Sequence, residues 1–407
     1  MDIKLSKQSQ INVKENNLRL VMDTIIRNEP VSRADIMRIT NISKPTVSKL
    51  ITELIEKDLI RETGIGKPSL GRPPILLEFN STKKCLLALD FGREECLVAV
   101  SDLQGNVLKE GIIDIDEKNN LTTNLAAIKK KVNLIYDALK ISSKDIMRAI
   151  CACPGIYLGS KKGFIWYPGG MEHDDYDLHP ILQEELGVEA VLEHSTKLAL
   201  LGEKRAGKAR GYRDAIYIDF GYGLGSAFLI NGEIYHGPYN ASGEIGYTYT
   251  QPDEFENITI KPFEHGPLCS KVSGKAIQEA GEAVVKRNGS SMISELAKVE
   301  EGRVTSRLVF NAAQKQDETS LRILNERFGY FNMALCNIIN TLTPELIIFG
   351  GGFAYAGDFL LHLVSDALKD KVLFMPKMEI STLKKEANII GGIHYLIQSI
   401  DFLNELV

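Results

Sequence analysis

The chain has 407 residues, a formal net charge of −5, 44% apolar and 25% charged residues, a size and balance that suit two or three soluble globular domains. Its opening MDIKLSKQSQ lacks the apolar stretch of a secretory signal, and no unbroken apolar run reaches membrane-spanning length. Six scattered cysteines (Cys85, Cys96, Cys151, Cys153, Cys269, Cys336) show no framework spacing, which suits reduced thiols and a cytoplasmic protein.

Residues 1–15 are polar and read as a frayed end. Asn16–Asn28 reads as a helix with Leu18, Val21, Ile25 and Ile26 inward. Val31–Ile60 then reads as two short helices and a tight turn. Ser32 caps the first helix with Asp35 as its capping-box partner, and Ile36 and Ile39 form its apolar stripe. Thr40-Asn41-Ile42 makes the turn. Ser43 caps the second helix, with Pro45 tolerated in the first turn. Val47, Leu50, Ile51 and Leu54 face a core, leaving Ser43, Lys44, Thr46, Ser48, Lys49 and Thr52 outward. Hydroxyls and ammoniums near a helix N-terminus suit base edges and phosphates in a major groove.

Alone, this pattern also fits a helical hairpin with a solvated face. The flanks favour DNA: Leu59–Glu62 reads as a strand, Thr63–Pro74 as a Gly/Lys/Arg loop containing Lys67 and Arg72, and Ile75–Phe79 as a return strand. Three helices and a two-stranded wing make a winged helix-turn-helix over residues 1–82. Gly71-Arg72-Pro73-Pro74 is open to two readings, a stiff interdomain linker or an arginine laid into a minor groove. Charge supports the division. Residues 1–82 hold 13 Lys/Arg against 10 Asp/Glu, so +3, which leaves −8 for the other 325 residues. A basic module on an acidic body suits a regulator that binds double-stranded operator DNA as a homodimer or a dimer of dimers.

From Lys84 strands and helices alternate. Cys85–Asp90, Cys96–Asp102 and Val107–Ile115 read as strands with turns at Gly92 and Gly105-Asn106, and Asn124–Leu139 as a helix. Leu89-Asp90-Phe91-Gly92 is echoed by Ile218-Asp219-Phe220-Gly221, again with strand, turn (Asn231-Gly232) and strand following. The echo suggests a duplicated α/β fold with a cleft between lobes. The Asp-Phe-Gly triplets lack the other elements of a protein kinase. Lys271–Arg287, Arg303–Lys315 and Glu318–Leu342 read as helices, Pro344–Phe349 as a buried strand entering Gly350-Gly351-Gly352, and Leu360–Leu368 and Gly391–Ile400 as covering helices.

With Gly243-Glu244-Ile245-Gly246 added, this order of motifs over roughly residues 14–402 resembles the ROK family of bacterial sugar-responsive repressors and sugar kinases. The resemblance implies an α/β protein in which a winged helix-turn-helix precedes a two-lobed actin-like, sugar-kinase fold over residues 83–407. That body would sense an effector and mediate dimerisation.

The departures bear on function. Family kinases carry Asp-x-Gly-Gly-Thr in a first phosphate loop, but Arg93 and Glu94 stand at the Gly-Thr positions, and a glutamate there repels phosphate. Gly221-Tyr222-Gly223-Leu224-Gly225 keeps the glycines of the second loop, which also suit a tight hairpin. The family's Asn-Asp-Ala-Asn is replaced by His194-Ser195-Thr196-Lys197, so Ser195 stands where an aspartate would take the sugar hydroxyl's proton. Among implied sugar contacts, Pro-Asn becomes Pro168-Gly169, Gly-Glu-Ile-Gly-His becomes Gly243–Tyr247, and Gly-Cys-Leu-Glu becomes Gly266-Pro267-Leu268-Cys269. The family's zinc site has lost its histidine to Tyr247 and a cysteine to Pro267, and Thr248–His265 contains no cysteine, so no metal and no cofactor are expected.

These features lead to a DNA-binding repressor of carbohydrate-utilisation genes without kinase activity. The alternatives are a sugar kinase with a DNA-binding extension, or a regulator whose body is a ligand-free scaffold. The expected effector site comprises Gly169, His194, Ser195, Lys197, Glu244 and Tyr247. Loss of carboxylates and gain of Lys197 tilt the expectation toward a phosphorylated or acidic sugar, unless Lys197 points to water.

Overall fold

A computed structural model of the chain describes residues 2–66, 73–92, 94–116, 121–157, 164–166, 178–260, 264–287 and 291–406. Contacts divide it into two units: residues 1–86 with 101–106 and 397–407, and residues 87–100 with 107–396.

The first unit begins with α1 (Asp2–Asn28), β1 (Val31–Ser32), α2 (Arg33–Thr40), α3 (Lys44–Glu56), β2 (Ile60–Ile65) and β3 (Ile75–Phe79). The helix therefore starts at Asp2, and the frayed end expected over residues 1–15 is not observed from there on. No glycine or proline interrupts Asp2–Asn28. Leu18, Val21, Met22 and Ile25 bury one stripe of α1, while Ile26 is only half-buried. Ser32 accepts from the Asp35 amide and Asp35 reaches back to Ser32, completing the capping box. Asn41, at φ 56°, ends α2 in the left-handed region that asparagine tolerates. Ile36 is buried, but Ile39 is 48% exposed: α2 has eight residues and turns only one apolar position fully inward. The wing has a strand beyond the expected pair, because β1 joins β3 antiparallel and gives the order β1-β3-β2.

The second unit contains two five-stranded sheets and a two-stranded sheet of Gly155–Tyr157 with Phe164–Trp166. Its first lobe comprises β4 (Cys85–Phe91), β5 (Glu95–Asp102), β6 (Val107–Asp114), α4 (Leu121–Leu139), β7 (Ile146–Cys153), β8 (Gly155–Tyr157), β9 (Phe164–Trp166), α5 (Leu178–Leu186), β10 (Ala190–His194) and α6 (Ser195–Ala206). The strand order is β10-β7-β4-β5-β6, with β10 parallel to β7. The central strands are nearly continuous apolar runs, as a sheet covered on both faces demands.

The second lobe has β11 (Ala215–Phe220), β12 (Leu224–Ile230), β13 (Glu233–Ile234), α7 (Pro252–Asn257), α8 (Cys269–Val272), α9 (Gly274–Lys286), α10 (Met292–Val299), α11 (Ser306–Gln314), α12 (Glu318–Leu342), β14 (Leu346–Gly351), α13 (Asp358–Leu368), β15 (Lys377–Ile380) and α14 (Glu386–Ser399). Its order is β13-β12-β11-β14-β15. The two Asp-Phe-Gly segments end β4 and β11, each the middle strand of its sheet, so the echo in the sequence marks a structural repeat. Phe220, Phe310, Phe328, Phe331, Phe349 and Phe353 interlock in the second lobe's core, with Phe220 and Phe353 stacked at 4.9 Å. The helix expected over Lys271–Arg287 is broken: Ser273 ends α8, and its hydroxyl accepts from the Ala276 amide to cap α9. The helix expected from Gly391 begins five residues earlier, at Glu386.

Helices α6 and α14 cross at backbone contact. A Cβ on Gly202 would meet the Ala387 carbonyl oxygen at 2.1 Å, and one on Gly391 the Leu198 carbonyl oxygen at 1.8 Å. Only glycine permits that approach.

After α14 the chain forms α15 (Phe402–Glu405) within the first unit. The 83–407 division had put this segment with the body. Asp401 pairs with Arg19 of α1 at 2.5 Å, and the Phe402 ring packs edge-on against Phe79 at 5.4 Å between centroids. Phe402→Ala is expected to destabilise this unit by about 1–2 kcal/mol, the usual worth of a half-buried aromatic contact. Chemical unfolding of the full chain, followed by exchange at winged-helix amides, checks this; unchanged protection of α1 and β3 would reject it.

Candidate functional site

The DNA-facing candidates share one surface of α3. Ser43, Lys44, Ser48, Lys49 and Thr52 are exposed and Thr46 is half-buried, while Val47, Leu50, Ile51 and Leu54 turn inward. Ser43 occupies the capping position in extended conformation but makes no side-chain cap; its hydroxyl lies 2.9 Å from that of Thr46. The expected cap is thus replaced by a hydroxyl pair at the helix entrance. Thr52 donates back to the Ser48 carbonyl at 3.0 Å. Arg33 pairs with Glu62 at 2.9 Å, tying the start of α2 to the wing. Lys67 and Arg72 lie outside the described residues.

The effector candidates gather where β10 enters α6. His194 is the N-cap of α6, and its Nδ1 accepts the Thr196 amide at 3.2 Å. The Thr196 hydroxyl lies 2.6 Å from the same nitrogen and 3.1 Å from the Ser226 carbonyl, with one proton to give to either. With Nδ1 accepting, the ring proton belongs on Nε2, which faces Glu244 at 3.6 Å. Burial, reinforced by the nearby Lys197 charge, lowers the His194 pKa to about 4. At neutral pH the imidazole is therefore uncharged, and its basic nitrogen is already used by the helix. Ser195, the first residue of α6, is half-buried.

Lys197 does not point to water; it is 2% exposed. Its ammonium donates to the Asn240 carbonyl and side-chain oxygens, each at 2.6 Å, and lies 3.7 Å from Glu193. Burial lowers its pKa, against the pull of Glu193 and Glu244. Burial would raise the Glu193 pKa, yet His236, Lys197 and the His194 amide hold it below the ordinary carboxylate range. His236 Nε2 lies 3.1 Å from Glu193. Glu193, His236 and Asn240 had no motif to mark them, although Glu193 and Lys197 stand four residues apart in the sequence. Together they pin the loop that leads to Glu244. In that loop Gly243 has φ +93° and packs so closely that a Cβ would meet the Ser226 carbonyl at 2.1 Å.

Glu244 precedes a single turn, Ile245–Tyr247, and is half-buried. The structure thus brings His194, Lys197 and Glu244 together. Tyr247 donates its hydroxyl to the Glu264 carbonyl at 3.1 Å, and burial pushes its pKa up to about 12. Cys269 sits 3.0 Å from His265 Nδ1, its thiol pushed up to about 11 by burial. Proline at 267 and a phenol committed to a carbonyl do not fit a structural zinc, and among the described residues no group of three or more His, Cys, Asp or Glu is placed to hold a metal ion. Gly169 lies outside the described residues.

At the ends of the repeated strands stand two acids. Burial raises Asp90 to about 7, with Asp219 adding repulsion and the Asn388 amide, 3.0 Å away, opposing. Burial raises Asp219 to about 6.

The ROK family profile matches residues 86–396. The chain belongs to the ROK family. A MarR family profile matches residues 20–66, the winged-helix segment from α1 to the end of β2. Over 398 residues the chain is 24% identical to a xylose repressor of Caldicellulosiruptor bescii, covering 95% of this chain and 96% of that protein. It is 28% identical to a glucokinase of Halalkalibacterium halodurans over 316 residues, covering 75% of this chain and 93% of that enzyme. A crystal structure of a ROK family transcriptional regulator, a homologue of the E. coli MLC protein, superposes with TM-score 0.75 at 23% identity, covering 95% of this chain and 96% of that one. The winged helix followed by a ROK sugar-kinase-like body is therefore the architecture of the whole chain.

Two outcomes follow from these buried charges. Lys197→Met leaves Glu193 short of its cation and is expected to cost about 3 kcal/mol, whereas Glu193→Gln with Lys197→Met should cost clearly less than the sum of the single changes. Urea unfolding of the four proteins measures the coupling; strict additivity would show that the pair does not interact. For Asp90, a pKa raised to about 7 from 3.8 means that the folded state binds the proton more tightly. Its contribution is full below the unfolded value and is lost as pH rises through about 7. Asp90→Asn, which mimics the protonated acid, should gain about 1–3 kcal/mol over the parent at pH 8 and nothing at pH 4. Melting curves at both pH values test the sign.

Proposed function

We propose that this ROK protein is a DNA-binding transcriptional repressor whose body senses a sugar without phosphorylating it. The observation that carries the reading is the pairing of a polar, basic α3 face with a sugar-kinase-like cleft that has no general base at its reaction position. Ser195 cannot take a proton at neutral pH, and loss of such a base forfeits ~10²–10⁴-fold in rate. His194 offers no replacement, since Nδ1 serves the Thr196 amide and Nε2 carries the proton. The glucokinase relative shows that the family also contains enzymes; the His194–Lys197 segment separates this chain from that chemistry.

Double-stranded operator DNA is the partner and the cytoplasm the compartment. The acting form is a homodimer or a dimer of dimers. The effector site we propose is His194, Ser195, Glu244 and Tyr247, with Lys197 beneath; Gly169, the remaining sequence candidate, lies outside the described residues. The enclosure of Lys197 removes the basis for preferring an anionic ligand. Its charge is compensated by Glu193 and consumed by Asn240, whereas Glu244 offers a carboxylate to sugar hydroxyls. A neutral sugar is therefore favoured, and the xylose-repressor relative makes a pentose the first candidate.

Lys44→Ala and Lys49→Ala should each weaken operator binding, and the slope of log K against log salt should fall by roughly one per lost phosphate contact. Half-sites should lie about 10 base pairs apart, or a multiple of that spacing. Fluorescence anisotropy across a salt series checks both, and binding that ignores salt and both substitutions would reject the α3 assignment. D-xylose, D-glucose and their phosphates should be compared for thermal shift and operator release, with Glu244→Ala as control. ATP-dependent phosphorylation of any of these sugars at ~1 s⁻¹ or faster would overturn the non-enzymatic reading. A response to the phosphates alone would restore the anionic one.

A further inference from the structure

The segment that follows Glu244 is organised around a lysine. Lys271, on the buried turn of α8, is only 15% exposed in its side chain and forms an ion pair with Glu254 of α7, itself 9% exposed. The same ammonium reaches the Thr250 hydroxyl at 3.0 Å and the Gln251 side-chain oxygen at 3.3 Å. It lies 3.8 Å from the ring centroid of Tyr330 on α12. Glu254 in turn accepts the Thr250 amide at 3.0 Å, the Gln251 amide at 3.1 Å and the Thr250 hydroxyl at 3.2 Å. The Gln251 amide group meets the Tyr330 hydroxyl at 3.5 Å.

A carboxylate, a hydroxyl, an amide oxygen and an aromatic face thus converge on one cation, with α7, α8 and α12 each contributing. Both ends of the segment are anchored in the candidate effector site. At one end Tyr247 reaches Glu264; at the other Cys269 lies against His265. Between these anchors Gly266 packs so tightly on Gly246 that a Cβ would meet the Gly246 carbonyl oxygen at 2.4 Å. Displacement of residues 248–258 therefore bears directly on the Glu244–Tyr247 turn.

We propose that Lys271 is a positioning residue of the effector site, its ammonium organising residues 248–258. The assignment rests on the sugar-sensing reading only for its effect on ligand binding; the ordering of the segment is independent of it. A point charge of this kind needs no thiolates and no metal, so the segment should be indifferent to chelators.

Hydrogen–deuterium exchange on the full-length protein without ligand tests the ordering. Lys271→Met should raise exchange in peptides covering residues 248–258 at least tenfold while leaving β11 and β14 unchanged. Glu254→Gln should produce the same pattern, the double variant should add little, and Lys271→Arg should restore most of the protection. EDTA should leave the parent protein unchanged. Unchanged exchange in both Lys271→Met and Glu254→Gln, or exchange in the parent that rises with EDTA, would overturn the proposal. The ligand arm uses D-xylose and D-glucose: a sugar that shifts the parent's melting temperature should bind Lys271→Met at least tenfold more weakly, with operator affinity unchanged in the absence of sugar. A loosened segment with undiminished sugar affinity would defeat the positioning role. If neither sugar shifts the parent, the sugar-sensing reading fails for these sugars, and the exchange data still decide whether Lys271 orders the segment.

Discussion

The close crossing of α6 and α14 sets the geometry of the body. At Gly202 and Gly391 the two helices approach until backbone meets backbone, and no side chain separates them. Helix α6 begins at Ser195 and carries Thr196 and Lys197, so the crossing fixes where these candidate residues lie. Helix α14 carries Asn388, whose amide donates to Asp90. Buried Glu203, next to Gly202, accepts the Ser381 hydroxyl at 2.5 Å and the Lys208 amide at 2.6 Å, securing the far end of α6. A methyl group at either glycine would push apart two helices whose other faces are already packed. Glycine at position 202 is thus explained by contact geometry.

The chemistry of the cleft follows from burial without a bound partner to compensate charge. Around the start of α6 the enclosed ionisable groups are neutralised or paired. His194 is uncharged because desolvation and Lys197 both oppose protonation. Lys197 shares its charge with Glu193, and Glu193 has His236 as a further partner. Asp90 and Asp219 are held high in pKa by desolvation. Phosphoryl transfer needs a carboxylate ready to accept a proton beside the sugar and a cradle that welcomes phosphate. In this chain His194 and Lys197 are instead engaged by hydrogen bonds that close the neighbouring loops.

Most of the architecture was legible because it rests on local signals. Ser32 with Asp35 announced a capping box, the spacing of Val47, Leu50, Ile51 and Leu54 announced a buried helix face, and the paired Asp-Phe-Gly strands announced the repeat. Failures occurred where tertiary contact decided the outcome. The two residues of β1 are too few for a strand signal and exist only because β3 offers an edge. Ile39 is apolar yet exposed, since α2 is too short to turn two faces inward. Ser43 has the residue type and backbone of a cap but bonds to Thr46 instead. Lys197 was ambiguous because sequence distinguishes a buried ammonium from a solvated one only through partners distant in the chain, here Asn240. The role of Lys271 was illegible for the same reason: Glu254 and Tyr330 come from elements 17 residues before it and 59 after it.

The chain passes between the two units at four places, after residues 86, 100, 106 and 396. The last of these falls inside α14, so one continuous helix carries Asn388 at the Asp90 carboxylate and then enters the unit that holds α3. Beyond it, Asp401 and Phe402 engage Arg19 and Phe79, which belong to α1 and β3 of the winged helix itself.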